Sequence, residues 1–300
     1  MLDSELRTDE SWRLVEAKGK VNLSLRIFPR GPDGYHPIET VFCRIDLADR
    51  VRIRVSDEPG VSIRVSGPET APANLENLAA RAATLFLELG GTPAGVEIEL
   101  EKHIPPGSGL GGGSSDAAAV LRALAAAVEA RPSREETLAL ASRLGADVTF
   151  FAADTPLAIA WGRGERILAC QGLAPRPMLL VLPDVAISTA EAYAHWDERQ
   201  TAERTRGVEP RLRSDSDVSS WEVVSSAAVN DFEPVIFGLR PDLRLVREAL
   251  SETQPLIALL SGSGSALFAV YESERQRDEA AAELTDVIEG ARLVSARGPV

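Results

Sequence analysis

Only two cysteines, Cys43 and Cys170, occur in the 300 residues, and no short spacing links them. The three histidines, His36, His103 and His195, are scattered as well. A zinc site needs ligands converging from paired spacings, and no such set is written here; thiols this sparse fit a reducing compartment. Basic charge is scarce too: 32 Lys and Arg stand against 45 Asp and Glu, a net charge of −13. Nucleic-acid binding driven by counterion release needs a basic face, so that class is excluded, and an anionic ligand must meet a local positive site. No apolar run approaches the roughly 20 residues that span a bilayer. The opening MLDSELRTDESWR is polar and acidic. Neither a secretory signal nor a transit peptide is expected from it, which points to the cytoplasm without a membrane partner.

What is present is an ordinary globular composition, 44% hydrophobic and 26% charged, long enough for two lobes with cores of their own. From Arg13 to Val65 the pattern has period two, as in KVNLSLRI and RVRIRV, broken by the turn sequences GPDG and DEPG; this predicts antiparallel sheet. Residues 74–89 predict a helix, VEIELEK (95–101) a half-exposed strand, and SDAAAVLRALAAAVEA a helix capped by its first serine. SREETLALASRL opens on a capping box, Ser133 with Glu136. The polar, Ser-rich stretch 200–227 predicts a surface excursion rather than core. Around it, MLLVLP, RPDLRLVREAL, LIALL, SALFAVY, RQRDEAAAELTDVI and ARLVSA give strand, helix, strand, strand, helix, strand. That order is a ferredoxin-like split βαβ unit. The fold class expected is α+β, with lobes at 1–172 and 173–300.

PPGSGLGGGSSDAAA (105–119) joins a strand to a helix through five glycines. Bare amides leading into a helix N-terminus form an anion cradle, and phosphate is the expected occupant. Gly107, Gly109 and Gly112 also satisfy the dinucleotide pattern G-x-G-x-x-G, with Glu129 as the acidic ribose partner sought downstream. That fold needs a buried parallel strand running straight into the loop, whereas VEIELEK is half charged and two prolines intervene. No lysine follows the glycines as in a P-loop, and neither H-R-D nor D-F-G occurs. A plain flexible connector explains neither the glycines nor the Ser114, Ser115, Asp116 helix start.

Other segments read two ways. In GKVNLSLRI the side chains of Lys20, Asn22 and Ser24 share one strand face, solvated or functional. GPDGYHPIETVF is a hairpin turn or a device that presents Tyr35 and His36 together. Asp147, in LGADVTFF, is a cap or a half-buried acid, and LLSGSGSALF (259–268) is a hairpin loop or a second approach to phosphate.

PPGSGLGGGSSDAAA closely resembles the second motif of the GHMP kinases (galactokinase, homoserine kinase, mevalonate kinase, phosphomevalonate kinase). Lys18 to Leu23 resembles their first motif, with Lys18 and Gly19 where the family has proline and alanine, and LLSGSGSALF resembles their third. NLAARAA, GRGE (162–165) and Asn230-Asp231 also match, in order along the chain. GLGGGSSDAA and D-G-Y-H are similar to the branch of the family that acts on diphosphocytidyl-methylerythritol. The resemblance implies a two-lobed fold whose first lobe is like ribosomal S5 domain 2. It implies an ATP- and Mg²⁺-dependent kinase acting on the 2-hydroxyl of that small molecule in non-mevalonate isoprenoid precursor biosynthesis, as a monomer or weak homodimer.

The residue roles it implies are as follows. Lys20 and Asp147 are catalytic. ATP is held by Pro106, Gly107, Ser108, Gly109, Leu110, Gly111, Gly112, Gly113, Ser114 and Ser115, with Lys102, Asn77, Gly262 and Gly264, and Ser115 helps to ligate the metal. Asn22, Tyr35, His36, Thr189 and Tyr193 bind substrate, the cytosine lying between Tyr35 and Tyr193. Two alternatives stay open: another kinase of the family, mevalonate-type or homoserine-type, and a non-catalytic nucleotide-binding module.

Overall fold

The computed structural model describes residues 12–89, 95–127, 132–199, 210–285 and 287–300. Strands β1 (Arg13–Ile27) and β2 (Ile38–Ser56) form the long hairpin that the period-two pattern predicts. Along its other edge β2 pairs with β4 (Gly95–Glu101) at one end and β5 (Leu157–Gly162) at the other. β3 (Gly60–Ser66) and β6 (Arg166–Cys170) complete the six-stranded sheet. The alternation in VEIELEK is explained by its neighbour: Glu99 meets Arg52 at 2.7 Å and Glu97 meets Arg54 at 2.8 Å across the β2–β4 ladder, while Val96, Ile98 and Leu100 are buried. Opposite charges directly across strands reinforce the register that the apolar face already sets.

Four helices cover the buried face: α1 (Leu78–Leu87), α2 (Gly112–Ala127), α3 (Arg134–Leu144) and α4 (Ala146–Ala152). The alanine run of α2 lets it lie deep, with every residue from Ser115 to Leu121 buried against β1, β2, α1 and α4. α2 begins at Gly112, ahead of Ser115, so that serine is inside the helix rather than its cap. The Ser133–Glu136 capping box at α3 is present with both bonds.

The second sheet holds β7 (Arg176–Pro183), β8 (Ile257–Leu260), β9 (Leu267–Val270) and β10 (Ala291–Gly298) in the order β10-β7-β9-β8, antiparallel throughout. With α8 (Pro241–Glu252) and α9 (Glu274–Thr285) as its crossover helices, this is the split βαβ arrangement. α5 (Thr189–Arg199), α6 (Trp221–Ala227) and α7 (Glu233–Leu239) are additions between β7 and α8.

The stretch 200–227 departs from its expectation. Residues 200–209 lie outside the described residues. Beyond them, Leu212, Val218, Trp221 and Val224 are buried in one apolar cluster with Leu157, Ile159 and Cys170. The Trp221 indole donates to Ala174 O at 2.9 Å. Polar residues outnumber the apolar ones here and Val223 is exposed, yet these four apolar side chains point inward, so this is a capping layer over the sheet.

Candidate active site

Two β-bulges in β1, between Lys18 and Lys20 and between Asn22 and Ser24, take this strand out of plain alternation. A bulge re-aims side chains and frees backbone groups from the ladder. The freed Lys20 amide donates to Leu110 O of the glycine loop at 2.9 Å, stitching the first motif to the second. Neither face of this stretch is solvated, since every residue from Gly19 to Leu25 is buried. The Lys20 ammonium donates to Asn22 Oδ1 (2.8 Å) and Gly109 O (2.7 Å) and lies 3.6 Å from Asp147 Oδ2. Burial lowers the Lys20 pKa from the ordinary lysine value, and the Asp147 carboxylate opposes that shift. Asp147, in the first turn of α4, is about one third exposed on the open side of the pair.

A cavity of about 490 Å³ opens over these groups. It is lined by Pro106, Gly107, Ser108, Gly109, Gly111, Gly112, Gly113 and Ser114 of the loop, by Gly262 from the β8–β9 turn, and by Lys20, Asn22, Asp147, Thr189 and Tyr193. Among the described residues, no main-chain N–H from Gly107 to Ser114 donates to a protein acceptor. Unpaired amides beside the start of a sixteen-residue helix are what an anion site requires. Gly109 has φ +79°, and a Cβ there would sit 2.0 Å from Ser261 O, so only glycine lets the two turns close on each other. Ser261 Oγ donates to Gly109 O at 3.1 Å and the Ala266 amide to Ser108 O at 2.9 Å. Asn230 holds the same turn from behind, donating to Leu260 O and Gly262 O at 2.8 Å each.

Several residues expected at ATP are elsewhere. Lys102 is buried and paired with Asp49 and, at 2.8 Å, with Asp116, behind Gly112, whose missing side chain would press on its ammonium at 3.1 Å. Burial works against that charge, and the two carboxylates more than offset it, leaving the Lys102 pKa above the ordinary value. Burial, helped by Asp49 and opposed by Lys102, pushes the Asp116 carboxyl up to about 7. Asn77 caps α1, accepting from the Ala79 amide at 3.0 Å and donating to Pro72 O at 2.7 Å. The Leu110 side chain is core, and its carbonyl is taken by Lys20. Gly264 packs against Leu260 and Ile187, its amide bonded to Ser261 O. Ser115 donates to Lys18 O at 2.7 Å and lines a separate small cavity with Lys18 rather than the one over Lys20.

The expected base clamp is also arranged differently. Tyr35 lines a second cavity of about 1100 Å³, with the Arg163 guanidinium 3.5 Å above its ring and paired to Asp33 at 3.0 Å. Tyr193 lines the first cavity, and its ring stacks on His36, centroids 5.1 Å apart and 5° from parallel. So Tyr35 and Tyr193 do not face each other across one space. The two cavities are adjacent, sharing Ile38, Gly145, Ala146 and Arg163 as walls. Thr189 Oγ1 bonds Ser263 Oγ at 2.9 Å and Asn22 Nδ2 donates to Thr40 Oγ1 at 2.8 Å, so both polar groups are held in place at the cavity wall. Arg163 had a sequence signal in GRGE but no role; only the fold brings it to the junction. Ser263, inside the LLSGSGSALF stretch, and Phe232, which had no sequence signal, are also at the wall. Glu129, the acidic partner of the dinucleotide reading, lies outside the described residues.

Comparison with known proteins agrees with this geometry. Residues 77–155 match the GHMP kinases N terminal domain and residues 219–290 the GHMP kinases C terminal family. A 4-diphosphocytidyl-2-C-methyl-D-erythritol kinase of Salinibacter ruber is 39% identical over 262 residues, covering 86% of this chain and 89% of that protein. The enzyme of that name from Solidesulfovibrio magneticus is 39% identical over 277 residues, covering 91% and 93%. A crystal structure of 4-(cytidine 5'-diphospho)-2C-methyl-D-erythritol kinase superposes with a TM-score of 0.79 at 36% identity over 95% of this chain and 99% of that one. Mevalonate kinase of L. major shares the fold, with a TM-score of 0.71 at 17% identity over 96% of each chain. With two motif loops closed on one cavity and relatives of this similarity along most of its length, the chain belongs to the GHMP kinases, in the 4-diphosphocytidyl-2-C-methyl-D-erythritol kinase family.

Proposed function

We propose that this ATP-dependent kinase phosphorylates the 2-hydroxyl of 4-diphosphocytidyl-2-C-methyl-D-erythritol in non-mevalonate isoprenoid precursor biosynthesis. The observation that carries the reading is the Lys20–Asp147 pair, 3.6 Å apart in a cavity that the bare amides of the glycine loop line on one side and that adjoins the cavity of Tyr35 on the other. ATP lies along Pro106–Ser114 with Gly262 and Ser263 opposite. The acceptor hydroxyl meets Asp147, whose exposed carboxylate takes its proton, while the Lys20 ammonium stabilises the alkoxide and the transferring group. Holding both reactants in line supplies much of the acceleration in phosphoryl transfer. The cytosine stacks on Tyr35 in place of Arg163 and presents its edge to His36, which Tyr193 backs.

Magnesium fits as an ion carried in on the triphosphate. Among the described residues no cluster of three His, Cys, Asp or Glu forms a protein cage, and such ions usually keep phosphate oxygens and waters. Asp147 and the Ser114 hydroxyl are the groups at the wall that could reach it. When bound it supplies neutralisation of phosphate charge. The lobe boundary at 172/173 is supported by its place between β6 and β7. No helix among the described residues is long and apolar enough to cross a membrane, and action in the cytoplasm, as monomer or weak homodimer, is part of the proposal.

The test is product analysis by phosphorus NMR after mixing protein, ATP, Mg²⁺ and the cytidyl substrate. The expected result is ADP with one new phosphomonoester at the 2-position. ATP hydrolysis without transfer, or transfer to mevalonate or homoserine instead, overturns it.

A further inference from the structure

Helix α5 builds a socket for one imidazole. Tyr193, Trp196 and Asp197 stand at i, i+3 and i+4 on one helix face. Tyr193 stacks on the His36 ring, Trp196 meets it edge-on at 5.1 Å, and Asp197 Oδ1 lies 2.7 Å from His36 Nε2. The other carboxylate oxygen is occupied too, accepting from Arg30 Nη2 at 2.6 Å. Arg30 and His36 flank the β1–β2 turn of the first lobe, so a single carboxylate from the second lobe fixes both ends of the segment that carries Tyr35. A carboxylate can only accept, and the ring nitrogen facing it must therefore carry the proton. In the neutral imidazole that leaves Nδ1 as a lone-pair acceptor. Nδ1 has no protein partner among the described residues and is not one of the buried side-chain atoms left unpaired. It therefore retains some solvent contact, and the residues on either side of His36 in sequence, Tyr35 and Pro37, line the larger cavity.

We infer that Asp197 is a positioning residue that sets base specificity: by holding His36 as the Nε2–H tautomer it makes Nδ1 an acceptor, which selects a cytosine over a uracil diphosphate. The inference rests on the substrate reading above. Cytosine offers an N4 amino donor where uracil has an O4 acceptor. An acceptor at Nδ1 bonds the first and faces the lone pairs of the second. Arg30 sharpens the device, because in Asp197→Asn the guanidinium keeps the remaining amide oxygen and turns the amide NH₂ toward Nε2. The ring then shifts its proton to Nδ1, and the acceptor becomes a donor.

The experiment uses the full chain with CDP and UDP as probes, titrated by calorimetry, together with nitrogen-15 shifts of the histidine rings. Only three histidines need assigning. Wild type is expected to show His36 protonated at Nε2 and to bind CDP more tightly than UDP. Asp197→Asn should shift the proton to Nδ1 and cut the CDP-to-UDP preference by about tenfold or more, the usual scale for a residue that orients a histidine ligand, with ATP affinity unmoved. If that variant does not fold, Arg30→Ala, at a half-exposed position, should lower the same ratio by a smaller factor. A wild-type His36 protonated at Nδ1, or a variant that weakens CDP and UDP equally, overturns the inference. Failure of the kinase reading is seen separately, as absent turnover with the CDP preference intact.

Discussion

Two lysines flank the glycine loop, both with side chains 3–4% exposed, and they are set up in opposite ways. Lys20 has one carboxylate partner, 3.6 Å away and open to the cavity, and its other bonds go to neutral oxygens. Lys102 is enclosed by two buried carboxylates, of which Asp49 also accepts the amides of His103 and Ile104. Burial disfavours both charges; the count of carboxylates decides the outcome, so the Lys20 pKa falls and that of Lys102 rises. A cation with a single, loosely held partner can turn toward new negative charge on a substrate. One enclosed by two carboxylates serves as a strut under the loop, tying α2 through Asp116 to β2 through Asp49.

The sharpest way to break this comparison is at the open pair. Asp147→Asn should lower the single-turnover rate of phosphoryl transfer by roughly a thousandfold with ATP affinity near normal. A mutant with wild-type rate would remove Asp147 from the mechanism. Next in size is the strut. Lys102→Met leaves Asp49 and Asp116 without their shared cation in the interior and should destabilise the fold by about 3–5 kcal/mol in denaturant titrations. Lys20→Met, whose partner stays hydrated, should cost only about 1–2 kcal/mol; equal losses would erase the distinction drawn here. The smallest effect is a slope. The Asp116 carboxyl, raised to about 7 from an ordinary 3.8, holds its proton in the folded chain between those values while the unfolded chain has released it. Its contribution therefore favours folding on the acid side and is lost as pH rises through about 7. Asp116→Asn should flatten the fall in Tm between about pH 4 and pH 7, and an unchanged slope would place that titration elsewhere.

Much of the site could be read in the sequence because its signals are local. Five glycines between a strand and an alanine-rich helix, or Lys20 and Asn22 two apart on a strand, constrain the backbone within a few residues. The expected site residues that do not line the main cavity share one cause. Lys102, Asn77 and Ser115 sit beside the motifs, but their side chains are claimed by Asp49, Pro72 and Lys18, partners set by strand pairing and helix packing. The layer from Leu212 to Val224 was hidden for a related reason: four inward-facing apolar residues among serines and aspartates do not lift the local average.

By itself the sequence determined the elements, the ferredoxin-like order of the second lobe, and the loop whose glycines leave amides free for phosphate. Those features follow from torsional freedom and side-chain period, which act over a few residues. Only the tertiary structure decided that the Tyr35 and Tyr193 rings line different cavities, that His36 is gripped by α5, and that one of two buried lysines faces the cleft while the other supports it. Each of these is a matter of which charge or ring arrives from a distant strand or helix, and desolvation makes that arrival count for more than anything along the chain.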